Sequence, residues 1–88
     1  MNLQEVVSVV DAKVREMNNI DMDDTDLSYS TNLLEEGYID SMGLIKLVTE
    51  IEDHFRMKFS NADFLRTDFA TIEGISSIID GKLSADSF

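Results

Sequence analysis

The sequence predicts an all-α domain: a small four-helix bundle with three main helices, one short third helix, and a long loop between helices 1 and 2. Three observations predict it. Proline is absent and glycine occurs only at 37, 43, 74 and 81, too few turn formers for an all-β domain of this size. Apolar residues recur at helical spacing in three separate segments. Each of those segments opens on a side chain that caps helices. The 88 residues hold one domain, 1–88, since a second core needs more chain. Its ordered core is expected over about 3–80.

The first helix is expected over about 3–17. Leu3, Val6, Val7, Val10, Val14 and Met17 lie on one stripe, and Asn2 followed by Glu5 reads as an N-cap with its reciprocal carboxylate. Residues 18–40 form a connection that opens acidic and then turns apolar at intervals. Leu33 and Leu34 are expected to anchor it to the core, and Gly37 to turn the chain. The second helix is expected over about 41–55, capped by Asp40, with Leu44, Val48, Ile51 and Phe55 inward and Leu47 beside them. Met57 and Phe59 then alternate with polar neighbours in a short extended stretch. Residues 61–67 suit one helical turn around Phe64 and Leu65. Thr71 reads as the cap of a last helix with Glu73 in its first turn and Ile72, Ile75, Ile78 and Ile79 inward. Gly81 and Lys82 read as its end, and 83–88 as a loose tail.

Composition excludes several functions. Eighteen acidic residues against seven basic ones give a net charge of −11. Nucleic acid and anionic membrane are therefore unsuitable partners, and basic protein surfaces are suitable ones. The same self-repulsion should make the fold salt-stabilised and raise carboxylate pKa values in the folded state. There is no cysteine, which excludes thiolate chemistry, and a single histidine, His54, so His-based metal sites and Ser/His/Asp catalysis are not expected. No apolar run is long enough to cross a membrane. The N-terminus lacks the basic start of a secretory signal, which places the chain in the cytoplasm. Asp21, Asp23, Asp24 and Asp26 lack the glycine turn of a calcium loop in both possible registers and read as a solvated acidic loop, so no metal site is assigned. Glu35, Glu36, Glu50, Glu52 and Asp53 read as a solvated charged face, and His54 as a surface residue at a helix C-terminus. No catalytic residue is assigned.

Ser41 is the residue to weigh. Next to Asp40 it can be simply a helix start. A serine displayed at a helix N-terminus can also carry a phosphodiester, because free N–H groups and the positive dipole end stabilise phosphate there. Met42 and Ile45 lie to one side of the inward stripe. Either they widen the buried face, or they form an exposed apolar pair beside Ser41.

The run from Leu33 through Gly37, Asp40 and Ser41 to Met42 resembles the prosthetic-group segment of acyl carrier proteins. In that family an apolar residue eight before the serine packs inward, a glycine precedes an Asp-Ser pair, and an apolar residue follows. Leu47, Val48, Glu50, Ile51, Glu52 and Phe55 resemble the family's second helix. The resemblance covers nearly the whole chain. It implies that Ser41, with Asp40 as the adjacent motif residue, receives 4′-phosphopantetheine from coenzyme A through a phosphopantetheinyl transferase. The arm's thiol then holds an acyl group as a thioester, which accounts for a non-catalytic chain without cysteine. It further implies a monomer that presents intermediates of fatty acid, polyketide or related lipid synthesis to enzymes with basic docking surfaces, through Met42, Ile45, Glu52 and Asp53. Two features depart from fatty-acid carriers. Gly37 stands four rather than three before the serine, and Gly43 and Lys46 stand where those carriers tend to be acidic. The form G-x-I-D-S-M-G is more similar to D-alanyl carriers and discrete carriers of specialised pathways. An aminoacyl, D-alanyl or peptidyl carrier is therefore the alternative. An acidic helical adaptor without a prosthetic group is the alternative of another class.

Overall fold

The computed structural model describes residues 2–85. Among them are four helices and no strand: α1 (Leu3–Met17), α2 (Ser41–Phe55), α3 (Asn61–Phe64) and α4 (Ile72–Ala85). Asn2, Asp40 and Thr71 cap helix starts as the sequence suggests, without the expected return bond from Glu5 among the described residues, and α3 has a capping box that the sequence reading did not assign. Asn2 Oδ1 accepts the Glu5 N–H at 2.9 Å, and Ser60 and Asp63 form a reciprocal capping box at α3. Thr71 Oγ1 accepts the Gly74 N–H at 2.8 Å and donates to the Asp68 carbonyl. Each satisfies an amide that a helix start leaves without an intrahelical acceptor.

α1 packs along α4 and against α2. Val6, Val10 and Val14, each four apart, are fully buried, whereas Leu3 and Met17 at the helix ends are exposed. The valines meet Ile72, Ile75 and Ile79 of α4 and Leu47 and Ile51 of α2 in one core. This tertiary burial offsets the weak helix propensity of the valines. α1 ends where Asn19 takes a left-handed φ of 55° and the Ile20 N–H bonds back to the Arg15 carbonyl at 2.9 Å, a Schellman closure.

The long connection is tied down at both ends. The buried Arg15 guanidinium reaches Asp11 Oδ1 at 2.9 Å and the Asp21 and Leu27 carbonyls. Downstream, the Glu73 N–H bonds the Tyr29 carbonyl at 2.9 Å, and the Leu33 N–H bonds the Ala70 carbonyl at 2.8 Å. Leu27, Leu33 and Ile39 are buried. Leu34 departs from expectation and is 37% exposed. Asn32 Oδ1 accepts the N–H groups of both Leu34 and Glu35, and the turn it creates sends Leu33 inward and Leu34 outward. Gly37 makes the expected turn at φ 77°.

Three further expectations are corrected. Gly81 does not end α4, which continues to Ala85. Among the described residues only Gly37 is a glycine with positive φ, so Gly81 is an ordinary helical position. Beyond it Lys82 pairs with Asp63 at 3.0 Å and Leu83 packs against the core, which keeps the chain helical. Of the expected loose tail, residues 83–85 are therefore helix, and 86–88 lie outside the described residues. The carboxylates whose pKa moves, Asp63 and Asp68, go down rather than up. For Asp63 the main cause is the Ser60 backbone N–H, supported by Lys82. For Asp68 it is the Arg66 guanidinium.

Candidate functional site

The site is the first turn of α2. Asp40 is its N-cap in extended conformation, and its Oδ1 accepts the Gly43 N–H at 2.7 Å. Upstream, the Ile39 N–H bonds the Leu33 carbonyl at 3.1 Å and the Ile39 side chain is buried, so the cap is held to the core from behind. Ser41 follows as the first helical residue and is exposed. Its own N–H and that of Met42 have no intrahelical acceptor. Gly43 leaves room for the capping carboxylate of Asp40, the one tight neighbour of this position. A Cβ there would lie 3.2 Å from Asp40 Oδ1 and 3.5 Å from Asn18 Oδ1. No acidic residue occupies the first turn of α2. Apart from the Asp40 cap, whose carboxylate is turned to the Gly43 N–H, the field at the serine is that of free amides and the helix dipole, which favours a phosphate ester.

Met42 and Ile45 are 62% and 59% exposed; they do not widen the buried face. Beside them runs an apolar groove of about 210 Å³ lined by Leu44, Ile45, Val48, Thr49, Phe64 and Phe69. Its far wall belongs to an aromatic cluster in which the Phe64 and Phe69 rings lie 5.0 Å apart and Phe59 stands 5.4 Å from Phe69. Sequence reasoning missed Phe69 and the groove. The signal available was three phenylalanines within eleven positions around a four-residue helix too short to cover them.

The other expected residues lie elsewhere. Glu52 is not a surface acid. Its Oε2 accepts the Phe59 N–H at 3.0 Å, its Oε1 faces Lys58 at 3.7 Å, and the side chain is only 18% exposed. It ties the end of α2 to the segment before α3. Asp53 is exposed, but twelve residues along a helix put it about 18 Å from Ser41. His54 packs its ring edge-on to Phe55 at 4.8 Å in that same distant turn. In the acidic loop Asp24 Oδ1 accepts the Asp26 N–H, and among the described residues no group of three or more His, Asp or Glu converges to hold a metal ion. No described helix is long and apolar enough to cross a membrane.

Comparison with known proteins agrees with this geometry. A profile described as "Phosphopantetheine attachment site" matches residues 9–79. The D-alanyl carrier protein of Streptococcus mutans is 34% identical over 61 residues, covering 65% of this chain and 77% of that protein. The D-alanyl carrier protein of Streptococcus gordonii is 27% identical over 78 residues, covering 84% and 90%. That of Streptococcus pyogenes serotype M5 is 26% identical over 69 residues, covering 78% and 87%. No solved structure matches. A match over most of the chain, reaching across a capped and exposed Asp-Ser helix start, establishes the conclusion: this protein belongs to the phosphopantetheine attachment family of carrier proteins, whose prosthetic group is a covalently bound 4′-phosphopantetheine.

Proposed function

We infer that Ser41 is the attachment residue and that the protein carries acyl groups as thioesters, handing them to biosynthetic enzymes in the cytoplasm. The observation that carries this reading is the display of Ser41 on a helix start with unpaired amides and no neighbouring acid in the first turn. The residues fit the group. Ser41 Oγ would form the phosphoester as the pyrophosphate linkage of coenzyme A breaks, with adenosine 3′,5′-bisphosphate leaving and the hydroxyl proton passing to the transferase. The amides at the start of α2 would stabilise the phosphate. Asp40 keeps the turn in shape through Gly43, and the core behind Ile39 holds the turn still. When bound, the arm supplies the thiol that the chain lacks. Ser41 needs no base within its own domain.

The groove beside the attachment point favours an apolar acyl group, because its walls are almost entirely hydrocarbon. The names of the relatives favour a second reading, a D-alanyl cargo. Incubation with a phosphopantetheinyl transferase and coenzyme A should add one phosphopantetheine by intact mass. Ser41→Ala should block the addition and leave the helical circular dichroism unchanged. A Ser41→Ala protein that still gained the mass would overturn the assignment. Cargo is read next, by attaching octanoyl or D-alanyl groups to the arm. Shifts of the Ile45 and Val48 methyl resonances with octanoyl alone support the acyl reading, and their absence supports D-alanyl.

A further inference from the structure

Past the exposed Asp40 cap, the start of α2 has a charge pattern opposite to that of the molecule. The chain carries eighteen acidic residues, yet the nine residues Ser41–Thr49 contain none, and their one charge is Lys46. Five of the seven Lys and Arg side chains are already paired: Lys13 with Glu50, Arg15 with Asp11, Lys58 with Glu52, Arg66 with Asp68 and Lys82 with Asp63. Lys46 makes no ion pair among the described residues and is exposed. Its natural partner one turn on, Glu50, is engaged by Lys13 of α1 at 3.8 Å. In so acidic a chain, a cation left over on the face that carries the attachment residue marks a place where an outside carboxylate fits.

The same face is apolar. Met42 and Ile45, three apart on one side of α2, and Phe64 across the groove are 62%, 59% and 45% exposed. Lys46 adjoins Ile45 at the edge of this patch. The nearest exposed acids along α2 are Glu50, one turn beyond Lys46 and paired with Lys13, and then Asp53, two turns beyond. A partner that reaches Ser41 with a uniformly basic surface would meet Lys46 as a like charge, which raises the cost of encounter.

We propose that the transferase that modifies Ser41 docks on the apolar patch of Met42, Ile45 and Phe64 with a carboxylate opposite Lys46, making Lys46 a specificity-determining contact. This rests on the reading of Ser41 as the attachment residue. The carboxylate replaces the intramolecular acid that Lys46 lacks, and the apolar rim excludes water around the pair, which strengthens it. The general acidity of the molecule then acts at longer range on approach, while contact beside the serine obeys the opposite sign.

The test uses the full chain, coenzyme A and the phosphopantetheinyl transferase of the source organism, with product followed by intact mass. Complete conversion of the wild type and none of Ser41→Ala establishes the attachment residue independently of rate. Loss of that pattern sinks the Ser41 reading and not the docking argument alone. Initial rates then test the docking. Lys46→Glu should lower kcat/KM about tenfold through KM, Lys46→Ala about threefold, and Lys46→Arg should restore it, as expected for a partly shielded interfacial charge pair. The difference between wild type and Lys46→Glu should shrink as salt rises from 0.01 to 0.5 M, which a merely structural defect would not do. Ile45→Ala should lower kcat/KM to a similar degree with no salt dependence. A Lys46→Glu protein modified as fast as the wild type, or faster, would overturn the proposal, as would a loss confined to kcat.

Discussion

A methyl group on residue 74 would sit 1.9 Å from the backbone carbonyl oxygen of Asp68, so the first turn of α4 can approach its own entry loop only where no side chain intervenes. The obstacle is backbone, not the end of a flexible side chain, and something structural must move. Gly74→Ala should therefore destabilise the fold by about 2–3 kcal/mol, measured by urea unfolding; a change under about 0.5 kcal/mol would show that the loop yields freely. Single residues differ in how readable they are. Asp40 was legible as a cap because a carboxylate before an apolar run has one common use at a helix start. Glu52 was not, because its acceptor role depends on the N–H of Phe59, seven residues away across a turn with no regular pattern. Leu34 was misread because two adjacent leucines cannot both face one core from a turn, and only the Asn32 side-chain bonds decide which does.

α3 is a single turn of four residues, too short to persist on its own. It is held by the Ser60–Asp63 capping box, by the Lys82 ammonium of α4 at 3.0 Å from Asp63, and by Phe64 against Phe59 and Phe69. Asp63 thus serves two attachments, and both lower its pKa. A carboxyl with a depressed folded pKa stabilises the fold above its unfolded value near 4, and that contribution drains away as pH falls through the lower folded value. Melts at pH 6 and pH 3 should show a loss on acidification that is smaller in Asp63→Asn. Lys82→Ala at pH 7 should cost about 0.5–1 kcal/mol, as expected for a partly exposed pair. An acid response identical in Asp63→Asn and wild type would remove Asp63 from the account. At this scale the helix starts were readable from their caps, since capping chemistry is local. The end of α4 was not, because glycine followed by lysine is a stop only where the backbone turns left-handed, and here contacts from α3 and the core carry the helix onward.

For the molecule as a whole, the unbalanced charge is the governing quantity. Its field is visible at Tyr38, whose phenol pKa is raised by partial burial first and then by Asp24, Asp26 and Glu36. Raising sodium chloride from 0.01 to 0.15 M shortens the Debye length from about 30 to about 8 Å and should lift the melting temperature by about 3–6 °C, equivalent to roughly 0.5–1 kcal/mol for a domain of this size. An unchanged or lower midpoint would show that repulsion does not limit stability. The arrangement of helices was legible in outline because each buries one stripe. The seating of the long loop was not, because it depends on the Arg15 guanidinium and on backbone bonds to residues far along the chain.

Those distant bonds bear on the order of events during synthesis. The valine row of α1 finds its main partner in α4, and the loop that leads to Ser41 is fixed by the Ala70 carbonyl and the Glu73 amide. While the ribosome has made only the first seventy residues or so, α1 has α2 alone to pack on and lacks its main partner, and the loop before position 41 lacks its bonds to residues 70 and 73. The serine emerges early, but the loop that leads to it is expected to settle only once α4 has left the exit tunnel. On the proposed reading of Ser41, modification is expected to follow completion of α4. A chain stopped after Thr71 should be unfolded by circular dichroism and refused by the transferase, although it contains the entire sequence from Leu33 to Phe55. Efficient modification of that fragment would show that the helix start forms without α4.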